Sequence, residues 1–229
     1  MKPLVVINPN SSQTVTDGIA AALAPLRAWG RPIRCLTLAA GPAGIESQLQ
    51  ADLTIAPVID LALAQKDAAG FVIACFGDPG LHALWDATDL PVVGIQEAAV
   101  LSALALGHRF GVIAILPASI PRHLRAFGAM GVLDRFAGDR ALGLSVAALS
   151  DTRQTQDAMI ATARRLRDDD GADVLIMGCA GMAQYRDVLE DATGLPVIEP
   201  SQAGAALALS QIALGQARKP GFEEGTDHA

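Results

Sequence analysis

The chain has 229 residues, 51% hydrophobic and 18% charged, enough to bury one large core or two smaller ones. Its formal charge of −7 leaves no basic footprint for nucleic acid or anionic lipid, so neither partner is expected. The cysteines Cys35, Cys75 and Cys179 are odd in number and widely spaced, which argues against a disulfide framework.

The first expected strand, Leu4–Ile7, is too short for a signal segment and is interrupted by Asn8-Pro9-Asn10. With no apolar run of membrane-spanning length, a cytoplasmic location is expected. The Asn8–Ser12 loop offers the amide of Asn10 and the hydroxyl of Ser11 to a polar ligand, or serves only as turn and cap for a helix over Val15–Leu26. A strand over Ile33–Thr37 carries Cys35 with no catalytic context. The loop Gly41-Pro-Ala-Gly-Ile45-Glu46 follows, and Glu46 reads as a ligand contact or a plain loop carboxylate.

After a helix over Leu53–Gln65 comes the strand Phe71–Ala74, ending on Cys75-Phe76-Gly77-Asp78. Asp78 either orients a ligand or caps a helix. Strands over Val92–Ile95 and Gly111–Ile115 flank a helix over Ala98–Leu106. Further strands are expected over Val146–Leu149, Val174–Met177 and Val197–Ile198, with helices over Gln154–Asp168 and Ala203–Gln216. Asp168-Asp169-Asp170 reads as a solvated helix end, and the tail from Lys219 as frayed. Apolar strands alternating with helices indicate a parallel α/β architecture.

The halves repeat. Phe71-Val-Ile-Ala-Cys75-Phe-Gly77 aligns with Leu175-Ile-Met-Gly-Cys179-Ala-Gly181, and Leu90-Pro-Val-Val93 with Leu195-Pro-Val-Ile198. Two pseudo-symmetric lobes follow, each a parallel four-stranded sheet flanked by helices: 1–97 plus 206–229, and 98–205. Ligands of such sheets sit beyond the carboxyl ends of the strands. Cys75 and Cys179 therefore belong on opposite walls of one cleft between the lobes.

Inverting a stereocentre beside a carbonyl needs a base on one face and an acid on the other, with roles exchanged for the opposite hand. A thiolate and a thiol meet that symmetry, and a helix N-terminus is expected to lower their pKa towards neutrality. The backbone N–H groups of Phe76, Gly77, Ala180 and Gly181 are candidate donors to a developing enolate oxygen. Other chemistries lack their parts. Lys2, Lys66 and Lys219 are poorly placed for a Schiff base, and His82, His108, His123 and His228 have no ligand-like spacing. Phosphate-binding glycine motifs are missing too. Neither a cofactor nor a metal is expected.

Together, Val6-Ile-Asn-Pro-Asn-Ser11, Gly41-Pro-Ala-Gly-Ile-Glu46, Ala74-Cys-Phe-Gly-Asp-Pro-Gly-Leu81, Pro91-Val-Val-Gly-Ile-Gln-Glu-Ala98 and Gly178-Cys-Ala-Gly-Met182 resemble the aspartate/glutamate/hydantoin racemase superfamily, and within it the hydantoin and allantoin racemases. The resemblance implies a two-lobed fold, cofactor-independent racemisation by two cysteines, and frequent homo-oligomerisation. It places Asn10, Cys75, Gly77 and Cys179 at the site, with Ile45 and Ser119 nearby. Gly44 stands where the family usually has Ser, and Ala114–Ser119 lacks two threonines and an arginine common in relatives. That departure implies a more apolar or unusual ligand. The sequence therefore points to an isomerase acting on 5-substituted hydantoins, a small-molecule substrate. Allantoin or a free amino acid is the alternative substrate, and a non-catalytic two-lobed binding protein the rival class.

Overall fold

Residues 1–145 and 152–216 are described by the computed structural model. The strand expected at Val146–Leu149 and the tail from Lys219 lie outside them. The chain runs β1 (Leu4–Asn8), α1 (Gln13–Ala22), β2 (Ile33–Thr37), α2 (Gln48–Leu53), α3 (Ile55–Leu63), β3 (Gly70–Ile73), α4 (Leu81–Ala87), β4 (Val92–Gly94) and α5 (Ile95–Leu106). It continues with β5 (Phe110–Ala114), α6 (Ile120–Met130), β6 (Phe136–Ala141), α7 (Thr152–Asp168), β7 (Val174–Met177), α8 (Arg186–Thr193), β8 (Val197–Ile198) and α9 (Pro200–Ala213).

Two parallel sheets result, with strand orders β2-β1-β3-β4 and β6-β5-β7-β8. The matching orders carry the duplication from sequence into three dimensions. The central strands β1, β3, β5 and β7 are buried at every position, as helix-covered parallel strands must be. The edge strands β2 and β6 are half-buried throughout. β6 is the edge strand not foreseen. Its Phe-Ala-Gly-Asp-Arg-Ala sequence lacks a continuous apolar run, and it pairs with β5 across a register shift at Phe110/Gly111.

The helices knit the sheets together. α9, which follows the second sheet, packs on β1, β3 and β4 of the first, while α5 packs on β5, β7 and β8 of the second. Small residues allow α5 and α9 to approach each other closely: a Cβ on Gly204 would lie 2.9 Å from Ile95 Cγ2. One apolar cluster joins Val6, Val72 and Ala74 of the first sheet to Ala180, Ala205 and Ala208. Another joins Phe76, Ala99 and Val100 to Val112, Val174 and Ile176 of the second. At about 25 cal/mol per Å² of apolar surface, this shared burial holds the facing strand ends in place.

Candidate active site

Each thiol stands just beyond the carboxyl end of a central strand: β3 leads through Ala74 to Cys75, and β7 through Gly178 to Cys179. A Cβ on Gly178 would sit 2.7 Å from the Ile113 carbonyl oxygen, so the chain passes the end of β5 only with glycine there. After Cys75 the backbone turns sharply through left-handed conformations at Gly77 (φ 136°), Asp78 (φ 46°) and Gly80 (φ 84°). Glycine adopts these at little cost, and Asp is among the few other residues that tolerate them.

The turn returns Asp78 to the N-terminus of α5, where its carboxylate accepts from the Gln96 N–H at 2.9 Å and the Glu97 N–H at 3.0 Å. Gly94 makes room, since a Cβ there would lie 2.2 Å from that carboxylate. In the other half Glu199 caps α9, accepting from Ser201 N–H at 3.0 Å and Gln202 N–H at 2.6 Å. Each lobe thus buries a carboxylate behind its thiol, reached from a different position in sequence. Burial pushes Asp78 up to about 7 against the helix amides and raises Glu199 likewise.

Asn10, Ile45, Cys75, Phe76, Ser119, Cys179, Ala180 and Gly181 all line one cleft of about 420 Å³. Both thiols are half-buried in it. The remaining sequence candidates stand outside that lining. Ser11 is exposed, its N–H tied to the Pro42 carbonyl at 2.9 Å. The Glu46 N–H donates to Gln50 Oε1 at 2.8 Å, at the start of α2. Gly77 lines an adjoining cavity, and Asp78 is engaged as a cap. Asn10 reaches the cleft while its Oδ1 accepts from the Ser12 N–H at 2.9 Å. Cys35 lies on the edge strand, where burial raises it to about 11.

The expected lowering of the thiol pKa values is overturned. Burial pushes Cys75 well above the usual thiol range, and the facing Cys179 and Asp78 add to it, while Arg122 opposes. Burial raises Cys179 to about 11 against the Gly181 N–H that donates to its Sγ at 3.4 Å, with Glu199 and Glu46 acting in the same direction as burial. The reason is local. Cys75 is separated from α4 by the whole Gly77–Gly80 turn, and Cys179 caps only a 3-10 turn over Ala180–Tyr185. Neither thiol sits on the full dipole of a long helix.

Arg122 also lines the cleft and was not anticipated. It stands one turn past Ser119 on α6, with its guanidinium in long contacts to Ser119 Oγ (3.4 Å) and the Ala118 carbonyl (3.5 Å). The helix that follows the Ala114–Ser119 loop thus brings a guanidinium to the cleft. The sequence signal was a cation three residues after a candidate serine, one helical turn on.

His123, next to Arg122, donates or accepts at Nδ1 with Asp139 Oδ2 of β6 at 2.6 Å, both side chains 1% exposed. Its ring meets Phe76 edge-on at a centroid separation of 4.9 Å. This buried pair pins the arginine-bearing helix to the sheet. Removing one partner strands the other in an apolar interior, so His123→Ala is expected to cost about 3–5 kcal/mol. Scanning calorimetry should show Tm falling by roughly 10 °C, and an unchanged Tm would discount the pair as a structural anchor.

The Asp/Glu/hydantoin racemase family model matches residues 4–208. The chain is 35% identical over 217 residues to the hydantoin racemase of Paenarthrobacter aurescens, spanning 93% of this chain and 92% of that one. The allantoin racemase structure from Klebsiella pneumoniae matches with a TM-score of 0.92 at 30% identity, covering 100% of this chain and 96% of that one. The allantoin racemase structure from Pseudomonas fluorescens matches with a TM-score of 0.90 at 27% identity, covering 99% and 100%. A family match over nearly the whole chain, on a fold shared with solved racemases, establishes that this chain belongs to the Asp/Glu/hydantoin racemase family and is a racemase.

Proposed function

We propose that the chain racemises 5-substituted hydantoins without a cofactor, Cys75 and Cys179 exchanging the roles of base and acid. The observation that carries this reading is that two thiols, each ending a central strand of a different sheet, line one cleft. One thiolate removes the proton at C5 of the ring, and the electron pair moves into the adjacent carbonyl. The opposite thiol then delivers a proton to the other face, leaving the first cysteine protonated and the second ionised. Ala180 on the Cys179 wall and Phe76 beside Cys75 line the cleft, and we assign their backbone N–H groups to the enolate oxygen, while the Gly181 N–H donates to the Cys179 Sγ itself.

A hydantoin is an easier carbon acid for this site than a free amino acid. Its ring carbonyl and imide spread the developing charge, so the scarce thiolate is asked for a less demanding proton transfer. Allantoin, itself a hydantoin with a ureido group at C5, is a second reading, favoured by the TM-score of 0.92 to the Klebsiella pneumoniae allantoin racemase. The test is solvent exchange: a single-enantiomer hydantoin incubated in D₂O should lose optical rotation and gain deuterium at C5 together. No exchange with any hydantoin, allantoin included, would refute the proposal.

A further inference from the structure

We propose that a cavity beside Cys75 is a subsite for an anionic C5 substituent, and that the preferred substrate is a hydantoin whose side chain ends in a carboxylate. This rests on the hydantoin reading above and specifies the substrate class. The cavity is an open space of about 460 Å³ that adjoins the thiol cleft and shares Ile45, Cys75, Phe76 and Arg122 with it. A ligand reacting at Cys75 therefore has a continuous path into it.

The polar side chains lining this space are two cations, Arg122 and Arg125, and two amides, Gln48 and Gln96; among the described residues no carboxylate lines it. Among the described residues the Arg122 guanidinium is held only by its two long contacts, at 3.4 and 3.5 Å. Gln96, on the first turn of α5, also lines the cavity; it is 2% exposed, and its Nε2 has no hydrogen-bond partner among the described residues. A buried amide without a partner is costly to keep, and a ligand acceptor relieves that cost. Gln48 cannot relieve it: its Oε1 accepts from Arg125 at 2.5 Å and its Nε2 donates to Asp52 at 2.7 Å.

Two cations and an unpartnered amide N–H₂ match a group that accepts on both oxygens and carries negative charge. A carboxylate does so. A ureido group carries no charge to meet the two cations, so the chemistry favours the carboxylate.

The experiment compares 5-(2-carboxyethyl)hydantoin with 5-isobutylhydantoin, close in size and differing in charge, each as a single enantiomer. The wild-type chain should prefer the carboxylate by at least about tenfold in kcat/KM, mainly through KM. In Gln96→Leu and in Arg125→Gln that preference should collapse towards parity. Equal efficiency for the two substrates in the wild type, or a preference that persists in both variants, would overturn the subsite. Calorimetric binding of the same two compounds separates this from failure of the racemase reading. Preferential carboxylate binding without deuterium exchange keeps the subsite and sinks hydantoin racemisation. Exchange of both hydantoins without preference does the reverse.

Discussion

Cys75→Ser and Cys179→Ser should each lower racemisation by at least about a thousandfold, within the range that a positioned proton donor or acceptor supplies. A serine hydroxyl keeps the size of the thiol but ionises far too weakly to serve as the base. The reaction needs both faces of C5, so neither single variant should retain partial inversion. Each variant does retain one wall. The remaining cysteine can remove the proton from one enantiomer, exchange it with solvent, and return deuterium to the same face. Cys75→Ser and Cys179→Ser are therefore expected to wash deuterium into opposite enantiomers with retention of configuration. Polarimetry and mass spectrometry on the two pure enantiomers read the inversion and the exchange separately. Full racemisation by either variant would remove the two-base scheme, and exchange of the same enantiomer by both would place the thiols on one face.

The placement of both thiols in one cleft was legible in the sequence because its determinants are local and duplicated. A strand, a cysteine and a glycine two residues later recur in each half, and the matching orders of the two sheets place the halves equivalently. What escaped the sequence depends on partners remote along the chain. β6 is not picked out because Asp139 and Arg140 interrupt its apolar pattern; in the fold, Asp139 meets His123, and Arg140 forms paired bonds to Asp170 at 2.6 and 2.8 Å. Asp170 thus leaves the solvated triplet expected at that helix end, while Asp169 stays 58% exposed.

Arg122 was invisible for a similar reason. Its place in the cleft depends on the direction of α6, which follows a 3-10 turn opening on Pro117 and carries Pro121 in its own first turn, two prolines that mask the helical pattern. Asp78 shows local and tertiary effects together. The sequence allowed ligand or cap, and the cap it forms belongs to α5 rather than to the neighbouring α4. The thiol acidities were misjudged because a strand-to-helix motif reports the dipole, whereas desolvation is set by both lobes closing on the cleft.

That desolvation leads to the second large effect, the pH profile. Cys179 is raised to about 11 and Cys75 higher still, so at neutral pH both stand protonated and only a small fraction of the enzyme carries a thiolate. The base must be that thiolate. Below a raised pKa the thiolate fraction grows about tenfold with each pH unit. The acid partner remains protonated throughout, because ionising a second thiol beside the first is more costly. Between pH 6 and about 9, kcat/KM should therefore rise close to tenfold per unit, about a thousandfold in all. A hydantoin methylated at the imide nitrogen isolates the enzyme's titration from that of the substrate. The ultraviolet thiolate band of the wild type, less that of the double serine variant, should titrate in the same alkaline direction. A rate already level at pH 7, with a thiolate band present there, would show that the cleft stabilises the anion after all, leaving Arg122 as the cation positioned to do so.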